Sequence, residues 1–535
     1  MPGSTLSGPP ASGTGGGMTP RTAVPKLVII MVGLPARGKS YIVRKLCRYL
    51  NWLQYETRVF NVGERRRLAG RITELDGDHD KAGASRLGRT LFSSSAAFFD
   101  PTDPSLVSVR DDIALETLDE LLDWLSSREN SSIGILDATN STRERRERVL
   151  SRIRRSTCTC TSTGILFLES CCFDRDILDQ NFRLKLQGPD YRTQDPDRGL
   201  EDFRQRVAFY EKSYVPLGEA EEQERIPYLQ VIDVGRKINT HLIQGFLSSR
   251  IVEYMLNFNL SKRQIWIFCG GESTDDSVGR IGRPSDLTEA GRHYAASLVR
   301  FIHEQREQWE ANRERKMCWV QNNHEPAEFA PGGGQARSQD PPGTAADRSP
   351  HRPLNLCIWT STMPQTVQTV SGFSDVLFPK SEMKMLDDLN AGDMAGLTFD
   401  DIAALHPAVH AARKQHKLLY RWPGLGGECY LDLIERLRPV ILELERRKDH
   451  LLVVTHRAVV RVLLSYFLDL RRDDLAEMVI PKNWGFLLEP APYGIEFSAY
   501  SYQPVSGTFR LEPEVSRGRF LPGSILQSGS KEVEG

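Results

Sequence analysis

The apolar residues of the N-terminal half are concentrated in short runs that end in glycine or polar residues. KLVIIMV (26–32), SIGILDATN (132–140) and TGILFLES (163–170) are such runs. Apolar runs without alternation are typical of strands that are buried on both faces of a parallel sheet. YIVRKLCRYLNWL (41–53) and IALETLDELLDWLSS (113–127) instead show helical spacing. The alternation of these segments predicts βαβ units and an α/β fold with a mainly parallel sheet.

The same pattern restarts after SSRIVEYMLNFNL (248–260). Its strand-like and helix-like segments are IWIFC (265–269), LTEAGRHYAASLVRFIHEQ (287–305), LCIWTST (356–362) and HLLVVTHRAVVRVLLSYFL (450–468). The restart predicts two α/β domains, one over residues 26–255 and one over 256–515.

Three stretches lack the apolar periodicity that could build a core. Residues 1–25 and 516–535 predict disordered tails, and 322–353, rich in Gly, Pro and polar residues, predicts a long surface insertion. None of the three is expected to contribute to the folded domains.

Composition and charge exclude several classes of protein. The 69 basic and 70 acidic residues nearly cancel, so no overall field favours nucleic acid or an acidic membrane. No run approaches the roughly 20 apolar residues that span a bilayer, and residues 1–25 lack the pattern of a secretory signal. The 9 cysteines follow no metal-binding spacing. We therefore expect a cytoplasmic protein with free thiols.

The strand-like run KLVIIMV leads directly into GLPARGKS, residues 33–40, and a helix-like segment follows. This segment matches the pattern G-x-x-x-x-G-K-[ST] in the strand–loop–helix context that a phosphate loop requires. In such a loop, backbone N–H groups and the helix N-terminus bind phosphate oxygens. Lys39 would neutralise the β- and γ-phosphates, and the Ser40 hydroxyl would bind Mg²⁺. The segment predicts an ATP site, with an ordinary structural turn as the alternative.

Further charged residues suggest the acceptor of the phosphoryl group. Asp137 ends the run SIGILD, where a carboxylate can bind Mg²⁺ or orient an acceptor hydroxyl. A basic helix follows, with Asn140 or Ser141 expected as its N-cap. Arginines in several segments, with Arg206 and Tyr210 on one helix face, would suit an acceptor that is itself a phosphate ester. The alternative is a solvated, charged helix surface.

These motifs together resemble one family. GLPARGKSY, RYLNW, FNVGERRR, DATNSTRERR, LKLQGPDY, EDFRQRVAFYEKSYVPL and SRIVEYMLN are similar, in this order, to the kinase half of the 6-phosphofructo-2-kinase/fructose-2,6-bisphosphatase family. The similarity covers about residues 26–255, and residues 256–515 follow the second half. The resemblance implies ATP-dependent, Mg²⁺-assisted phosphorylation of fructose 6-phosphate at its 2-hydroxyl.

Carried over residue by residue, the resemblance implies three sets of kinase residues. The catalytic set is Lys39, Asp137, Lys185 and Cys172, with Ser40 and Asp137 as Mg²⁺ ligands. The ATP-binding set is Gly33, Leu34, Pro35, Ala36, Arg37, Gly38, Lys39, Ser40, Tyr41 and Asn181. The fructose 6-phosphate set is Arg67, Arg110, Thr139, Arg145, Arg206 and Tyr210. Residues 71–97 match no family segment, although they lie between two substrate-binding segments.

The second half resembles the histidine phosphatase (phosphoglycerate mutase-like) fold. The matching pieces are GRIGRPSDLTEAGRHYA, IWTSTMPQTVQTV, NAGDMAGLTFDDI, ERLRPVILELERR and LLVVTHRAVVRVLLSYFLD. In that family the first strand ends in Arg-His-Gly-Glu, and its histidine is the covalent nucleophile. A second arginine binds the phosphate, a glutamate donates a proton and a second histidine assists.

Most of these catalytic groups are missing at the matching positions. Cys269 replaces the first arginine, Gly270 the nucleophile, Gln365 the second arginine and Ala395 the proton donor, whereas His456, Glu272 and Arg280 are retained. A covalent mechanism without its nucleophile has no first step. The resemblance therefore implies a phosphatase half without activity. Cys269 as a substitute nucleophile is the alternative, but the cations and the acid that would serve it are missing too.

Two other functions are weighed against a kinase with an inactive second half. One is a bifunctional kinase/bisphosphatase, which the missing residues disfavour. The other is a non-catalytic P-loop sensor of nucleotide and sugar phosphate, which the joint retention of Lys39, Ser40 and Asp137 disfavours. The expected partners are ATP and fructose 6-phosphate, without nucleic acid or membrane, and a homodimer is left open.

Overall fold

The computed structural model describes residues 25–75, 95–156, 163–192, 195–259, 261–322, 355–491 and 494–513. The predicted tails, 1–25 and 516–535, lie outside these residues except for Pro25. Residues 76–94 of the 71–97 stretch, and 323–353 of the predicted insertion, also lie outside them.

The chain divides into two compact units that do not follow the order of the sequence. The first consists of Met1–Leu34, Glu56–Leu168 and Pro189–Tyr228. The second consists of Pro35–Tyr55, Glu169–Gly188 and Leu229–Gly535. The second unit therefore includes three segments of the predicted kinase half: Pro35–Tyr55, Glu169–Gly188 and the residues from Leu229 to 255.

The strands form a six-stranded and a seven-stranded sheet. The first sheet contains β1 (Lys26–Val32), β2 (Glu56–Asn61), β3 (Ser132–Asp137), β4 (Thr163–Cys171), β5 (Tyr228–Ile232) and β6 (Lys237–His241). The second contains β7 (Ile265–Cys269), β8 (Leu356–Thr360), β9 (Lys380–Glu382), β10 (His450–Thr455), β11 (Trp484–Ala491), β12 (Gly494–Gln503) and β13 (Thr508–Leu511).

The helices are numbered in chain order. Those before residue 260 are α1 (Lys39–Trp52), α2 (Val62–Leu75), α3 (Pro104–Ser126), α4 (Arg143–Ser156), α5 (Arg175–Leu186), α6 (Pro196–Ser213), α7 (Glu219–Gln223) and α8 (Phe246–Leu256). Those after it are α9 (Thr274–Ser277), α10 (Glu289–Asn322), α11 (Pro364–Thr369), α12 (Phe399–Leu405), α13 (Pro407–Gln415), α14 (Tyr430–Arg446), α15 (Arg457–Phe467) and α16 (Arg472–Glu477). Short 3₁₀ turns span Ala96–Phe99, Lys384–Leu386 and Gly392–Met394.

The first sheet has the strand order β2-β3-β1-β4-β5-β6. Strand β3 pairs in parallel with both β1 and β2, and Asn61 at the end of β2 stands opposite Asp137 at the end of β3. Every residue of β1 and β3 is buried, as their uninterrupted apolar runs predict. The predicted strands are confirmed here, and their parallel pairing gathers polar residues at one edge of the sheet.

The second sheet has the order β13-β12-β11-β7-β10-β8-β9. Its centre, β7-β10-β8, is parallel, whereas β11 to β13 continue it as antiparallel strands. The core on one face is built around Trp266, Phe268 and Phe301. Both halves are thus α/β structures, which confirms the predicted fold class. No helix among the described residues is long and apolar enough to cross a lipid bilayer.

Two helices differ from the sequence prediction. The helix predicted over 287–305 extends in the structure from Glu289 to Asn322. The added residues are mostly Glu, Arg, Gln, Ala and other good helix formers, which need no apolar stripe to continue a helix. The predicted caps of α4, Asn140 and Ser141, are wrong. Thr142 caps this helix, because its hydroxyl accepts a hydrogen bond from the N–H of Arg145 at 3.3 Å.

Gly485 on β11 provides a test of this packing. It stands opposite Phe268 in the sheet, and a Cβ atom at position 485 would lie 1.9 Å from the Phe268 ring. We expect Gly485→Ala to lower the free energy of unfolding by about 1–3 kcal/mol, because the buried ring must move. Gly494→Ala is the matched control in the same pair of strands, since a Cβ there meets no atom within 4 Å. Equal chemical denaturation curves for the two variants would contradict this packing.

Candidate active site and the degenerate phosphatase centre

The Gly-rich loop joins β1 to α1 with a backbone suited to binding an anion. Gly33, Ala36 and Gly38 have φ values of 131°, 58° and 88°, so the loop curls through left-handed conformations. Gly38 caps α1 without a side-chain hydrogen bond to the first turn. The N-terminus of α1 is therefore available to phosphate oxygens, and Lys39 is buried at its first position.

Residues of the 169–188 segment hold this loop. The Asn181 side-chain amide donates to the carbonyl of Ala36 at 2.9 Å, and the Ser170 hydroxyl donates to the carbonyl of Arg37. Lys185 is four residues beyond Asn181 on α5, and therefore lies on the same helix face. The structure thus brings Asn181 against the loop and places Lys185 one turn further along.

Cys172 is a buried residue of this segment. Burial raises the pKa of its thiol, with the negative charge of Asp233 as the next cause. The thiol is therefore protonated at neutral pH. It can pack against its neighbours, but it does not present a thiolate.

Asp137 is buried at the end of β3. The side-chain amide of Asn61 donates to its Oδ2 at 2.7 Å, which fixes the orientation of the carboxylate. The turn after β3 is tied to β1 and to the start of the loop: Asn140 Nδ2 donates to the Met31 carbonyl at 2.8 Å, and the Gly33 N–H donates to the Thr139 carbonyl at 2.9 Å. Thr139 thus supports the loop through its backbone, and its side chain is half-buried.

Three arginines from two helices surround one carboxylate. Asp190 lies 3.1 Å from Arg66, 3.4 Å from Arg67 and 3.2 Å from Arg206. Although burial opposes it, the arginines hold the pKa of Asp190 below its usual value. The guanidinium of Arg206 lies 3.9 Å from the centroid of the Phe99 ring, a distance at which a cation–π interaction stabilises it. A single negative charge thus faces three positive charges.

Arg145 and Arg110 form a second basic pair. Arg145 makes a 2.9 Å ion pair with Asp111, whose other oxygen is 2.7 Å from Arg148. Arg145 also donates to the Arg110 carbonyl, and the Arg110 guanidinium donates to the carbonyl of Asp100 at 3.3 Å. Arg145 is held in the first turn of α4, only a short distance along the chain from Asp137.

Tyr210 connects the two groups of arginines. It interacts electrostatically with Arg66, Arg110, Arg145 and Arg206. Burial lowers the pKa of Arg66, Arg110 and Arg145, because these cations are removed from water. A bound anion would offset that cost. We refer to Arg66, Arg67, Arg110, Arg145 and Arg206 as the arginine cluster.

The structure adds residues that the sequence reasoning missed. Arg66 belongs to the cluster, Asp190 pairs with three of its arginines, and Asn61 orients Asp137. Arg66 lies within the basic segment NVGERRR, and Asp190 within the motif LKLQGPDY, which was used only for the resemblance. Asn61 had no signal of its own, because its role depends on the register between β2 and β3.

The degenerate phosphatase centre lies at the ends of β7, β8 and β10. The Gly270 N–H donates to the Thr455 carbonyl at 2.9 Å, and the Gly271 N–H donates to the Thr369 hydroxyl at 2.9 Å. His456 Nε2 lies 2.8 Å from the Ser361 hydroxyl. The retained histidine is therefore within hydrogen-bonding distance of a residue that directly follows β8, as a structural histidine would be.

Cys269 and Gln365, at two of the matched positions, are buried. Burial raises the pKa of the Cys269 thiol to about 12, so it is protonated at neutral pH and a poor nucleophile. Gln365 is buried, with its Oε1 3.5 Å from the Ser285 backbone nitrogen, and the methyl group of Ala395 has no acidic proton to donate. The retained Glu272 accepts a hydrogen bond from the Thr288 hydroxyl at 3.0 Å.

The fold and sites define a P-loop phosphotransferase fold joined to a histidine phosphatase fold. The family model of 6-phosphofructo-2-kinase matches residues 15–262, and that of the histidine phosphatase superfamily (branch 1) matches residues 343–497. The chain belongs to the 6-phosphofructo-2-kinase family, which confirms the resemblance inferred from its motifs.

Similar proteins carry two kinds of name. A 6-phosphofructo-2-kinase 1 of Saccharomyces cerevisiae is 42% identical over 91% of this chain, but the chain spans only 53% of that protein. A probable 6-phosphofructo-2-kinase of Schizosaccharomyces pombe is 39% identical, over 91% of this chain and 71% of its own length. The human 6-phosphofructo-2-kinase/fructose-2,6-bisphosphatase 3 is 33% identical, over 89% of this chain and 78% of its own length.

Proposed function

We propose that this chain transfers the γ-phosphoryl group of ATP to the 2-hydroxyl of fructose 6-phosphate in the cytoplasm, giving fructose 2,6-bisphosphate. The arginine cluster is the observation that carries this proposal. Among the described residues, ion pairs join these five arginines to two carboxylates, those of Asp190 and Asp111. Such a cluster, beside Tyr210, suits an acceptor that carries its own phosphate.

The residues of the phosphate loop support the donor side of the reaction. Lys39 and the N-terminus of α1 bind the phosphates and stabilise the charge of the transferred group. Asn181 holds the loop in its curled conformation, and Lys185 lies on the same helix face. Cys172 contributes packing beside these residues, with its thiol protonated.

Asp137 orients the acceptor hydroxyl, and the amide of Asn61 holds its carboxylate for this purpose. Mg²⁺ is the metal that the donor types fit, because it binds one or two protein oxygens together with substrate phosphates. Ser40 supplies a hydroxyl and Asp137 a carboxylate of this kind. When bound, the ion neutralises charge on the phosphates.

We also propose that the second half has no fructose-2,6-bisphosphatase activity. The protonated Cys269 thiol, the glycine at position 270 and the buried amide of Gln365 support this. The names of the relatives agree with it, since those at 38–42% identity are named as kinases alone. A bifunctional enzyme is the second candidate, because relatives at 33% identity carry both names.

Lys39→Ala tests the kinase assignment. Because the Lys39 charge stabilises the transferred group in the transition state, we expect kcat to fall by about two decades or more. The affinity for ATP should change much less. Arg44→Ala, at an exposed position of the same helix, is the control. An unchanged kcat in Lys39→Ala, measured with ATP, Mg²⁺ and fructose 6-phosphate, would reject the assignment.

The arginine cluster can be tested with two arginines that share one partner. Arg145 and Arg148 both pair with Asp111, but the Arg145 side chain is 12% exposed and the Arg148 side chain 59%. We expect Arg145→Gln to raise the KM for fructose 6-phosphate by about one to two decades, the equivalent of roughly 1.5–3 kcal/mol. The KM for ATP should hardly change, and Arg148→Gln should resemble wild type. Equal effects of Arg145→Gln on both substrates would instead indicate a structural residue.

Phosphate release from fructose 2,6-bisphosphate tests the second half. We expect none from wild type and none from Gly270→His, whose Cβ would lie only 3.3 Å from the Thr366 methyl group. Without the cations and the proton donor, each worth about two or more decades, the new histidine should stay inactive. Adding Cys269→Arg, Gln365→Arg and Ala395→Glu should give measurable release. Release by wild type would refute the proposal, and release by the single variant would refute the matched positions.

A further inference from the structure

Helix α1, which begins with Lys39 of the phosphate loop, carries two buried cations on adjacent turns. Lys45 Nζ lies 2.7 Å from one carboxylate oxygen of Glu445, and Arg48 Nη2 lies 2.9 Å from the other. The three side chains are 7%, 9% and 2% exposed, in the order Lys45, Arg48 and Glu445. Glu445 belongs to α14, in the half that carries the degenerate phosphatase centre.

Further hydrogen bonds fix this carboxylate. The Tyr466 hydroxyl donates to Glu445 at 2.6 Å and accepts from Arg48 at 3.3 Å. The hydroxyls of Tyr466 and Tyr254 are 3.1 Å apart. One turn beyond Arg48, the Trp52 indole donates to the Val462 carbonyl at 3.2 Å. Helix α1 is therefore joined to α14 and α15 by hydrogen bonds and ion pairs along its length.

Burial acts in opposite directions on the charged groups of this network. Burial alone would raise the pKa of Glu445, but Lys45 and Arg48 hold it at about 2. Burial lowers the pKa of Lys45, and the charge of Glu445 opposes that effect. Lys45, Arg48 and the nearby Arg263 all interact with this one carboxylate, and an uncompensated buried charge is strongly destabilising. Glu445 is therefore an anion at neutral pH and anchors the cations of α1.

The ion pairs with Glu445 also determine the rotation and the axial position of α1. Apolar packing is non-directional and permits small rotations and shifts. Each oxygen of Glu445, by contrast, binds a different cation, so a rotation of α1 or a shift along its axis changes both distances and disturbs at least one of the bonds. Lys39 lies six residues before Lys45 on the same helix, or about 9 Å along its axis. A change in the pose of the helix therefore moves the phosphate loop.

We propose that Glu445 is a positioning residue of the kinase reaction, which sets the pose of α1 and hence of Lys39 through Lys45 and Arg48. This inference rests on the proposed kinase function. It gives the second half a role that needs none of the phosphatase groups: it supplies the anchor for the ATP-binding loop. Glu445 touches neither substrate in this role, and acts only through the helix.

The test compares Glu445→Gln with Glu428→Gln, which breaks a 2.9 Å pair with Arg436 in the same half, away from α1. We expect Glu445→Gln to lower kcat/KM for ATP at least tenfold and to leave the KM for fructose 6-phosphate within twofold. The arginines of the cluster are held by Asp190 and Asp111, neither of which lies on α1, so the affinity for fructose 6-phosphate should not follow the pose of this helix. Glu428→Gln should match wild type in both parameters. Unchanged ATP parameters in Glu445→Gln would overturn the proposal.

A triple variant, Lys45→Met with Arg48→Met and Glu445→Met, separates positioning from stability. Removing all three charges together should keep the melting temperature at or above that of wild type, because apolar replacement of buried ion pairs is often neutral or stabilising. We expect its kcat/KM for ATP to remain at least tenfold low, because apolar contacts do not fix the pose. Recovery of wild-type ATP parameters in the triple variant would overturn the proposal.

Equilibrium binding of ATP to the same full-length variants separates this inference from the proposed function. If wild type binds ATP but forms no fructose 2,6-bisphosphate, the proposed function fails. The anchor is still tested in that case, because Glu445→Gln and the triple variant should both bind ATP at least tenfold more weakly than wild type. Equal ATP affinity in all four proteins, together with equal turnover where turnover exists, would reject the anchor.

Discussion

Parallel strands place their carboxyl ends at one edge of a sheet, and both halves of this chain depend on that constraint. In the first sheet, the parallel register puts Asn61 beside Asp137, and the turn after Asp137 holds Gly33. In the second sheet, β7 and β10 end together, so that Gly270 bonds to Thr455. In both halves, the parallel strands thus bring their candidate site residues together at the ends of the strands.

Buried charge distinguishes the two sites. Within the described residues, ion pairs join the arginine cluster to two carboxylates, those of Asp190 and Asp111, so a bound anion would offset part of the cost of burying these cations. At the degenerate centre, His456 Nε2 lies 2.8 Å from the Ser361 hydroxyl, and Glu272 accepts a hydrogen bond from Thr288. This contrast supports the two proposals, a sugar-phosphate site in the first half and no phosphatase activity in the second.

Local patterns in the sequence predicted the features that local physics controls. The buried strands, the phosphate loop and the start of α1 follow from apolar runs and from the glycines at positions 33 and 38. Features that depend on distant pairing left no such signal. Asp190 joins Arg66 across a sequence separation of 124 residues, and Glu445 joins Lys45 across 400. No periodicity in the sequence links such distant positions. A single charged residue in an amphipathic helix, such as Lys45 or Glu445, therefore could not be distinguished from a surface residue.

We propose that the phosphate loop and the arginine cluster serve one reaction on fructose 6-phosphate. The most direct measurement incubates the purified chain with Mg²⁺, fructose 6-phosphate and ATP labelled in its γ-phosphate, and then locates the label in the product. We expect an acid-labile bisphosphate labelled only at the 2-position, with no later release of phosphate. Absence of labelled sugar, a label at another hydroxyl or steady release of labelled phosphate would contradict it.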